Sequence, residues 1–267
     1  KFWYIYVSLT VFIALGFFVF GMGLFDAVAH GLSTASTGGF STKDISLGYW
    51  NSITIEIVAM AGLLIAATNF TLHARLIERK RFDYASDSEF KSFIGVIFLG
   101  VLIITLLLNG EGFSFGSSLR NASFNVITLA TSGGFGNALG SGEAGDFASW
   151  PGSTQLLLLF FIVLGGCSGS TSGGVKIMRF RIGLAHAHSA LRSIMRPRAL
   201  IQARMGNRTV NDSLVERIAG FVVIYGMLVI IGTFILTALG SDLITSLSGT
   251  FSALGNMGPG LGEVGPT

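Results

Sequence analysis

Two ten-residue phrases, STASTGGFST from Ser33 to Thr42 and TLATSGGFGN from Thr128 to Asn137, carry the same residues: hydroxyl side chains, paired glycines and a phenylalanine. A looser copy, SALGNMGPG, runs from Ser252 to Gly260. Aligned on Gly39, Gly134 and Gly258, the copies match Ser33 with Thr128 and Ser252, and Thr37 with Ser132 and Asn256. Glycine admits positive φ and leaves its carbonyl oxygen unobstructed. That suits a ring of carbonyls replacing the hydration shell of a monovalent cation.

A second stretch, LLLLFFIVLGGCSGSTSGGVKIMRF, interrupts an apolar run with Gly165, Gly166, Cys167, Ser168, Gly169, Ser170, Thr171, Ser172, Gly173 and Gly174. Each glycine costs a helix about 1 kcal/mol relative to alanine, so a hinge or loop is expected here. Its hydroxyls suit obstructing or coordinating ions. The competing reading is a kinked helix whose Ser and Thr satisfy freed backbone groups. Two enzyme readings also meet this stretch. A phosphate-binding loop G-x-x-x-x-G-K-[ST] fails, because Val175 separates Gly174 from Lys176 and Ile177 stands where a hydroxyl is required. Gly166-Cys167-Ser168-Gly169 fits the G-x-S-G phrase of rhomboid-like intramembrane serine proteases, with Ser168 as nucleophile, yet a serine needs a base at its own depth. His30 falls in an outer segment, whereas His73, His186 and His188 fall near the cytoplasmic face. The histidines read as surface residues, since His186-Ala187-His188 lacks the i, i+4 spacing of a helical metal pair. Glu56 and Asn69 fall within a span and are candidates on that ground, although Glu56 stands close enough to the outer end to snorkel.

Composition says what must hold these residues. Hydrophobic residues make up 51% of the chain and charged ones 12%, which excludes an ordinary soluble domain. Continuous apolar runs at about Phe2 to Phe20, Ile53 to Ala67, Phe93 to Leu108, Leu156 to Leu164 and Ile218 to Leu239 mostly approach the ~20 residues of a spanning helix. Five crossings are expected. The single cysteine, Cys167, excludes an internal disulfide framework. Lys and Arg concentrate between Arg75 and Lys91 and between Lys176 and Arg217, so 75–91 and 176–212 are placed in the cytoplasm. Asp44, Glu111, Glu143 and Asp146 mark the opposite face. Their juxtamembrane position assigns the basic residues to anionic membrane lipid rather than to nucleic acid.

With that orientation, the run ending near Phe20 leaves on the outside and the run starting near Asn51 also begins there. GLFDAVAHGLSTAS and the glycine loop behind it must therefore enter and return on one face, as a re-entrant half-helix and loop. SSLRNASFNVITLATSGGFGN and SDLITSLSGTFSALGNMGPG occupy equivalent places. The expected plan is a repeat of spanning helix, half-helix, glycine loop and spanning helix, divided at 1–80, 81–212 and 213–267. The last unit stops at its loop, as in a piece of a longer polypeptide. Each half-helix turns its carbonyl end inward, which favours a cation. Glycine for close helix packing is the competing reading; recurrence at one topological place favours the carbonyl ring.

Ser132-Gly133-Gly134-Phe135-Gly136 resembles the Thr-Val-Gly-Tyr-Gly filter of potassium channels. Thr37-Gly38-Gly39-Phe40-Ser41 and Asn256-Met257-Gly258-Pro259-Gly260 resemble degenerate versions of it. Unequal filters in one chain resemble the Trk/Ktr/HKT superfamily of potassium transporters, over essentially the whole chain, as units two, three and the first half of four of a bacterial Trk-type membrane subunit. The resemblance implies an all-α membrane fold of helix, pore loop and helix units in a pseudo-fourfold, potassium-channel-like arrangement. It implies potassium uptake by a channel or symporter, with sodium permeation or sodium/proton coupling as the alternative. No enzyme activity and no covalent cofactor are expected; K+ is the transported ion. By position it assigns ion binding to Thr37, Gly38, Gly39 and Phe40, to Ser132, Gly133, Gly134 and Phe135, and to Asn256, Met257, Gly258 and Pro259. Residues 165–174 become an intramembrane gating loop. It further implies a bacterial inner-membrane location with the glycine loops facing outside, a homodimer, and a cytosolic nucleotide-binding regulatory subunit. The candidate docking segment for that subunit is Arg192 to Arg208.

Overall fold

A computed structural model describes residues 2–80, 82–195, 204–205, 208–209 and 211–266, the two short pieces by backbone alone. Arg196, Arg198 and most of the expected docking segment lie outside the described residues. The described chain is all-helical apart from one antiparallel pairing of β1 (Arg204–Met205) with β2 (Arg208–Thr209). Its order is α1 (Phe2–Val19), α2 (Leu24–Ala35), α3 (Ile53–Ala66), α4 (Phe70–Arg79), α5 (Ser88–Gly110), α6 (Phe115–Ala130), α7 (Gly152–Leu164), α8 (Ile177–Met195), α9 (Asp212–Ala238) and α10 (Leu243–Leu254).

Helices α1, α5 and α9 are long and apolar enough to cross a membrane. Their outer faces suit lipid: α1 exposes Phe12 and Val19, and α9 exposes Ile230 and Phe234, a surface that water would not tolerate. The span expected to carry both Glu56 and Asn69 is not one straight helix. It breaks after α3, and α4 leaves at 88°. Asn69 causes the turn, because its side chain accepts the Thr71 N–H at 2.8 Å and caps a new helix. Helix α4 then buries Phe70, Leu72 and His73 and exposes Arg75 and Arg79, as a helix lying at an interface does.

The half-helices α2, α6 and α10 start on side-chain or turn signals and end at the three glycine loops. Asp242 caps α10 by accepting from Ile244 and Thr245, and Ser114 caps α6. Helix α6 is the centre of the core, with Phe124, Val126, Leu129 and Ala130 fully buried. Some glycines do serve helix packing. A Cβ on Gly31 would stand 2.7 Å from the Ala14 Cβ, and one on Gly62 2.8 Å from Thr34 Cγ2.

Glu56 does not snorkel. It is buried on α3 and accepts a two-pronged bond from Arg120 of α6, Nε to Oε2 at 3.0 Å and Nη2 to Oε1 at 2.7 Å. Arg120 also donates to Asn51 Oδ1 at 3.1 Å. Removing one member of such a pair strands the other charge, so Arg120→Ala should destabilise the fold by about 3 kcal/mol. Replacing both Arg120 and Glu56 by apolar residues should recover most of that loss. Thermal unfolding in detergent checks both; an Arg120→Ala variant as stable as wild type would contradict the clamp.

Candidate functional site

The three half-helices terminate identically. Thr37 N–H donates to Thr34 O (3.1 Å) and Gly38 N–H to Ser33 O (2.8 Å). Ser132 N–H donates to Leu129 O (3.1 Å) and Gly133 N–H to Thr128 O (2.7 Å). Asn256 N–H donates to Ala253 O (3.2 Å) and Met257 N–H to Ser252 O (2.9 Å). This is a Schellman ending, whose left-handed residue is ordinarily glycine. Here it is Thr37 (φ 55°), Ser132 (φ 57°) and Asn256 (φ 52°). The left-handed conformation costs an L-residue roughly 1–2 kcal/mol, with asparagine the best tolerated after glycine, so the loops of Thr37 and Ser132 keep a hydroxyl at this place against its backbone preference. Ser132 Oγ is fully buried and has no hydrogen-bond partner among the described residues.

Two residues further on, Gly39 (φ 69°) and Gly134 (φ 71°) are left-handed again. The hand of the backbone thus alternates over 37–39 and over 132–134. Gly258 does not adopt this conformation. Pro259 follows it and favours extended backbone at the residue before.

The loops meet at these glycines. A Cβ on Gly39 would stand 2.9 Å from Gly134 Cα and run into Gly133 O; one on Gly134 would stand 3.0 Å from Gly258 N and 3.2 Å from Pro259 Cδ. Gly39 leaves no room for a side chain, and at Gly134 the neighbouring loop would have to give by a few tenths of an ångström; in both the obstacle is the adjacent loop rather than a helix face. Over this junction opens a cavity of about 440 Å³ bordered by Phe40, Lys43, Asp44 and the three glycines. Phe135 is buried, whereas Phe40 is exposed. None of the half-helices has a basic residue in its last turn, so the partial negative charge of their carbonyl ends stays available to a cation.

Residues 165–174 form a loop between α7 and α8, across the carbonyl ends of α2 and α10. Thr171 Oγ1 donates to Ala35 O (3.1 Å) and to Ala66 O (3.2 Å), and Gly174 N–H donates to Gly255 O (3.1 Å). Cys167 N–H donates to Ala67 O (2.9 Å), and Phe70 N–H donates back to Gly169 O (3.0 Å). The break after α3 and the loop after α7 thus satisfy each other's backbone groups where lipid could not. A Cβ on Gly173 would collide with Gly255 O.

Two residues without an assigned role in the sequence reading hold this loop. Lys176 curls back so that Nζ donates to Ser170 Oγ and Ser172 Oγ, both at 3.2 Å, and to Ser172 O. Glu89, buried in the first turn of α5, accepts the Ser168 N–H at 2.7 Å. An acid in a first turn reads as dipole complement, which hides Glu89; Lys176 reads as a misplaced phosphate-loop lysine.

The surface expectation for the histidines holds for His186 and His188 and is corrected for the other two. His73 is buried between Tyr84 OH (2.7 Å) and Ile65 O (2.9 Å). His30 is fully buried between Asp26 O (2.8 Å) and Ser41 Oγ (2.9 Å). Neither is hydrogen-bonded to Ser168.

The family described as cation transport protein, TrkH, matches residues 2–267. The chain is 38% identical over 265 residues to the Trk system potassium uptake protein TrkH of Halomonas elongata and 36% identical over 265 residues to that of Escherichia coli K12, covering 98% of this chain and 53% of each relative. The Trk system potassium uptake protein TrkG of Escherichia coli K12 is 35% identical over 263 residues. The crystal structure of the potassium transporter TrkH from Vibrio parahaemolyticus superimposes with a TM-score of 0.89 at 36% identity, over 98% of this chain and 56% of that chain. The chain therefore spans about half the length of the curated relatives it matches.

Proposed function

The chain belongs to the TrkH family of cation transport proteins, and we propose that it supplies three staves of a potassium-selective pore in a bacterial inner membrane. The observation that carries this is the junction of Gly39, Gly134 and Gly258, where three loops with the same helix ending meet backbone to backbone. In this reading the units are 1–80, 81–212 and 213–267. Potassium enters from the outer cavity and exchanges its water for the carbonyls of 37–40, 132–135 and 256–259. The unpartnered Ser132 hydroxyl supports a cation ligand at the inner side, because its lone pairs are otherwise unused. Below, residues 165–174 act as the gate, held shut by Lys176 and by bonds to Ala35 and Gly255. The protein does no covalent chemistry in this account.

A second reading, sodium permeation or coupling to sodium or protons, is favoured by one observation: the loop at 256–259 lacks the alternating hand of the other two. Rubidium and sodium fluxes into liposomes, with and without an imposed proton gradient, separate the readings. Potassium-selective conduction gives rubidium flux that greatly exceeds sodium flux and ignores the proton gradient. Neither ion moving would contradict both.

The family also brings a homodimer and a cytosolic nucleotide-binding regulatory subunit into the proposal, the latter docking on Arg192 to Arg208. Reversing the charge of Arg192, Arg196 and Arg198 together should abolish co-purification of that subunit while leaving the transporter in the membrane. Unchanged co-purification would remove this docking site and leave these residues to lipid headgroups.

A further inference from the structure

A set of polar braces stands behind the three glycine loops. Thirteen residues before Gly39, Gly134 and Gly258 come Asp26, Asn121 and Thr245. Each binds the segment that leaves its own loop: Thr42 Oγ1 donates to Asp26 Oδ1 (2.6 Å), Asn137 Nδ2 to Asn121 Oδ1 (2.9 Å), and Glu263 N–H to Thr245 Oγ1 (3.1 Å). Nine residues before the same glycines come His30 and Asn125, while the last unit has Gly249 there and uses the neighbouring Ser248. Asn125 Nδ2 donates to Asn137 Oδ1 (3.2 Å), and Leu261 N–H donates to Ser248 Oγ (2.8 Å). Different side chains thus do one job, at matched places in the first set and within one residue of them in the second, and each ties a half-helix to the segment leaving its loop.

His30 differs from its counterparts because it also reaches the next unit. The Asp26 carbonyl can only accept, so Nδ1 carries the proton and Nε2 accepts from the Ser41 hydroxyl. Ser41 directly follows Phe40. The other face of the imidazole stacks on Phe135, with centroids 6.0 Å apart and planes at 28°, and Trp50 closes the ring edge-on at 5.1 Å. One fully buried side chain therefore connects the segment after Gly39 to the aromatic residue after Gly134. A gap here would let both loops move, since losing the imidazole leaves the Ser41 hydroxyl without its acceptor and Phe135 without its packing.

We propose that His30 is a positioning residue for ion selection, setting the separation between the loops of Gly39 and Gly134 so that their carbonyls fit potassium rather than sodium. The inference rests on the filter reading above. It assigns His30 no contact with the ion, and its effect passes through Ser41 and Phe135.

The test is the rubidium-over-sodium flux ratio of the full-length protein in liposomes, for His30→Ala, His30→Gln, Ser41→Ala and the His30→Ala/Ser41→Ala double variant, with Gly134→Ser as reference. His30→Ala should lower the ratio about tenfold, the equivalent of one lost buried hydrogen bond. His30→Gln should restore most of it, because its amide oxygen still accepts from Ser41. Adding Ser41→Ala to His30→Ala should change nothing further, since both remove the same bond. An unchanged ratio in His30→Ala beside a lowered one in Gly134→Ser would overturn the brace and leave the filter standing. An unchanged ratio in Gly134→Ser would overturn the filter itself. A His30→Gln ratio as low as that of His30→Ala would also overturn the hydrogen-bonded brace. Should His30→Ala fail to fold, Ser41→Ala carries the test, and a wild-type ratio there would sink the proposal.

Discussion

Serine in place of Gly134 is expected to lower the rubidium-over-sodium flux ratio by about tenfold or more while rubidium still passes. Two independent costs act at this residue. Its φ of 71° is left-handed, which an L-residue resists by roughly 1–2 kcal/mol. Its missing Cβ leaves room for the neighbouring loop, where Gly258 N would stand at 3.0 Å and Pro259 Cδ at 3.2 Å. Neither obstacle is the end of a flexible side chain. The loop must therefore rotate or retreat, and about 1.4 kcal/mol of lost discrimination is a factor of ten in the ratio. Discrimination rests on carbonyl number and placement, so the smaller ion benefits when the staves separate. Flux measurements at matched protein incorporation check this, and an unaltered ratio would remove 132–135 from the ion path.

The second large effect is expected below the junction, at Lys176. Its ammonium bonds three oxygens of the loop, Ser170 Oγ, Ser172 Oγ and Ser172 O. Hydrogen bonds to a charged group are worth roughly 1.5–3 kcal/mol. Lys176→Met keeps most of the side-chain volume and removes them, which should raise flux in the absence of any regulatory subunit by about tenfold. Flux at or below the wild-type level, in a variant with wild-type thermal stability, would mean that Lys176 does not hold the loop shut. Asp242 offers a contrast, since its carboxylate is held below its ordinary range by the bonds from Thr245 and Ile244. Its capping of α10 is therefore present at neutral pH and lost as pH falls through that lowered value, far below the range used for flux.

The half-helices were legible because two observations agreed. Charge placement required both ends of 21–50 to lie on one face, and the residues around Gly39, Gly134 and Gly258 repeated. Hydropathy alone would have left α2, α6 and α10 as connecting loops. The bend after α3 was not legible, since the apolar run continues through Ala67 and only Asn69 signals a new helix start. The Glu56 clamp was hidden for a different reason: Arg120 lies 64 residues away, and no spacing rule joins them. The conformation of Gly258 shows local chemistry overriding the repeat. The glycine is retained, yet Pro259 denies it the hand of Gly39 and Gly134. The braces stand thirteen residues before each glycine, but Asp26, Asn121 and Thr245 differ in type, and only their bonds reveal one role.

The central claim is that the three loops bind the transported ion together, and the position of a heavy potassium analogue tests it most directly. Crystals of the full-length protein grown in thallium or rubidium salt should show anomalous density on the line bounded by the backbone carbonyls of Gly39, Gly134 and Gly258. Density confined to other places, with none at that junction, would contradict the account.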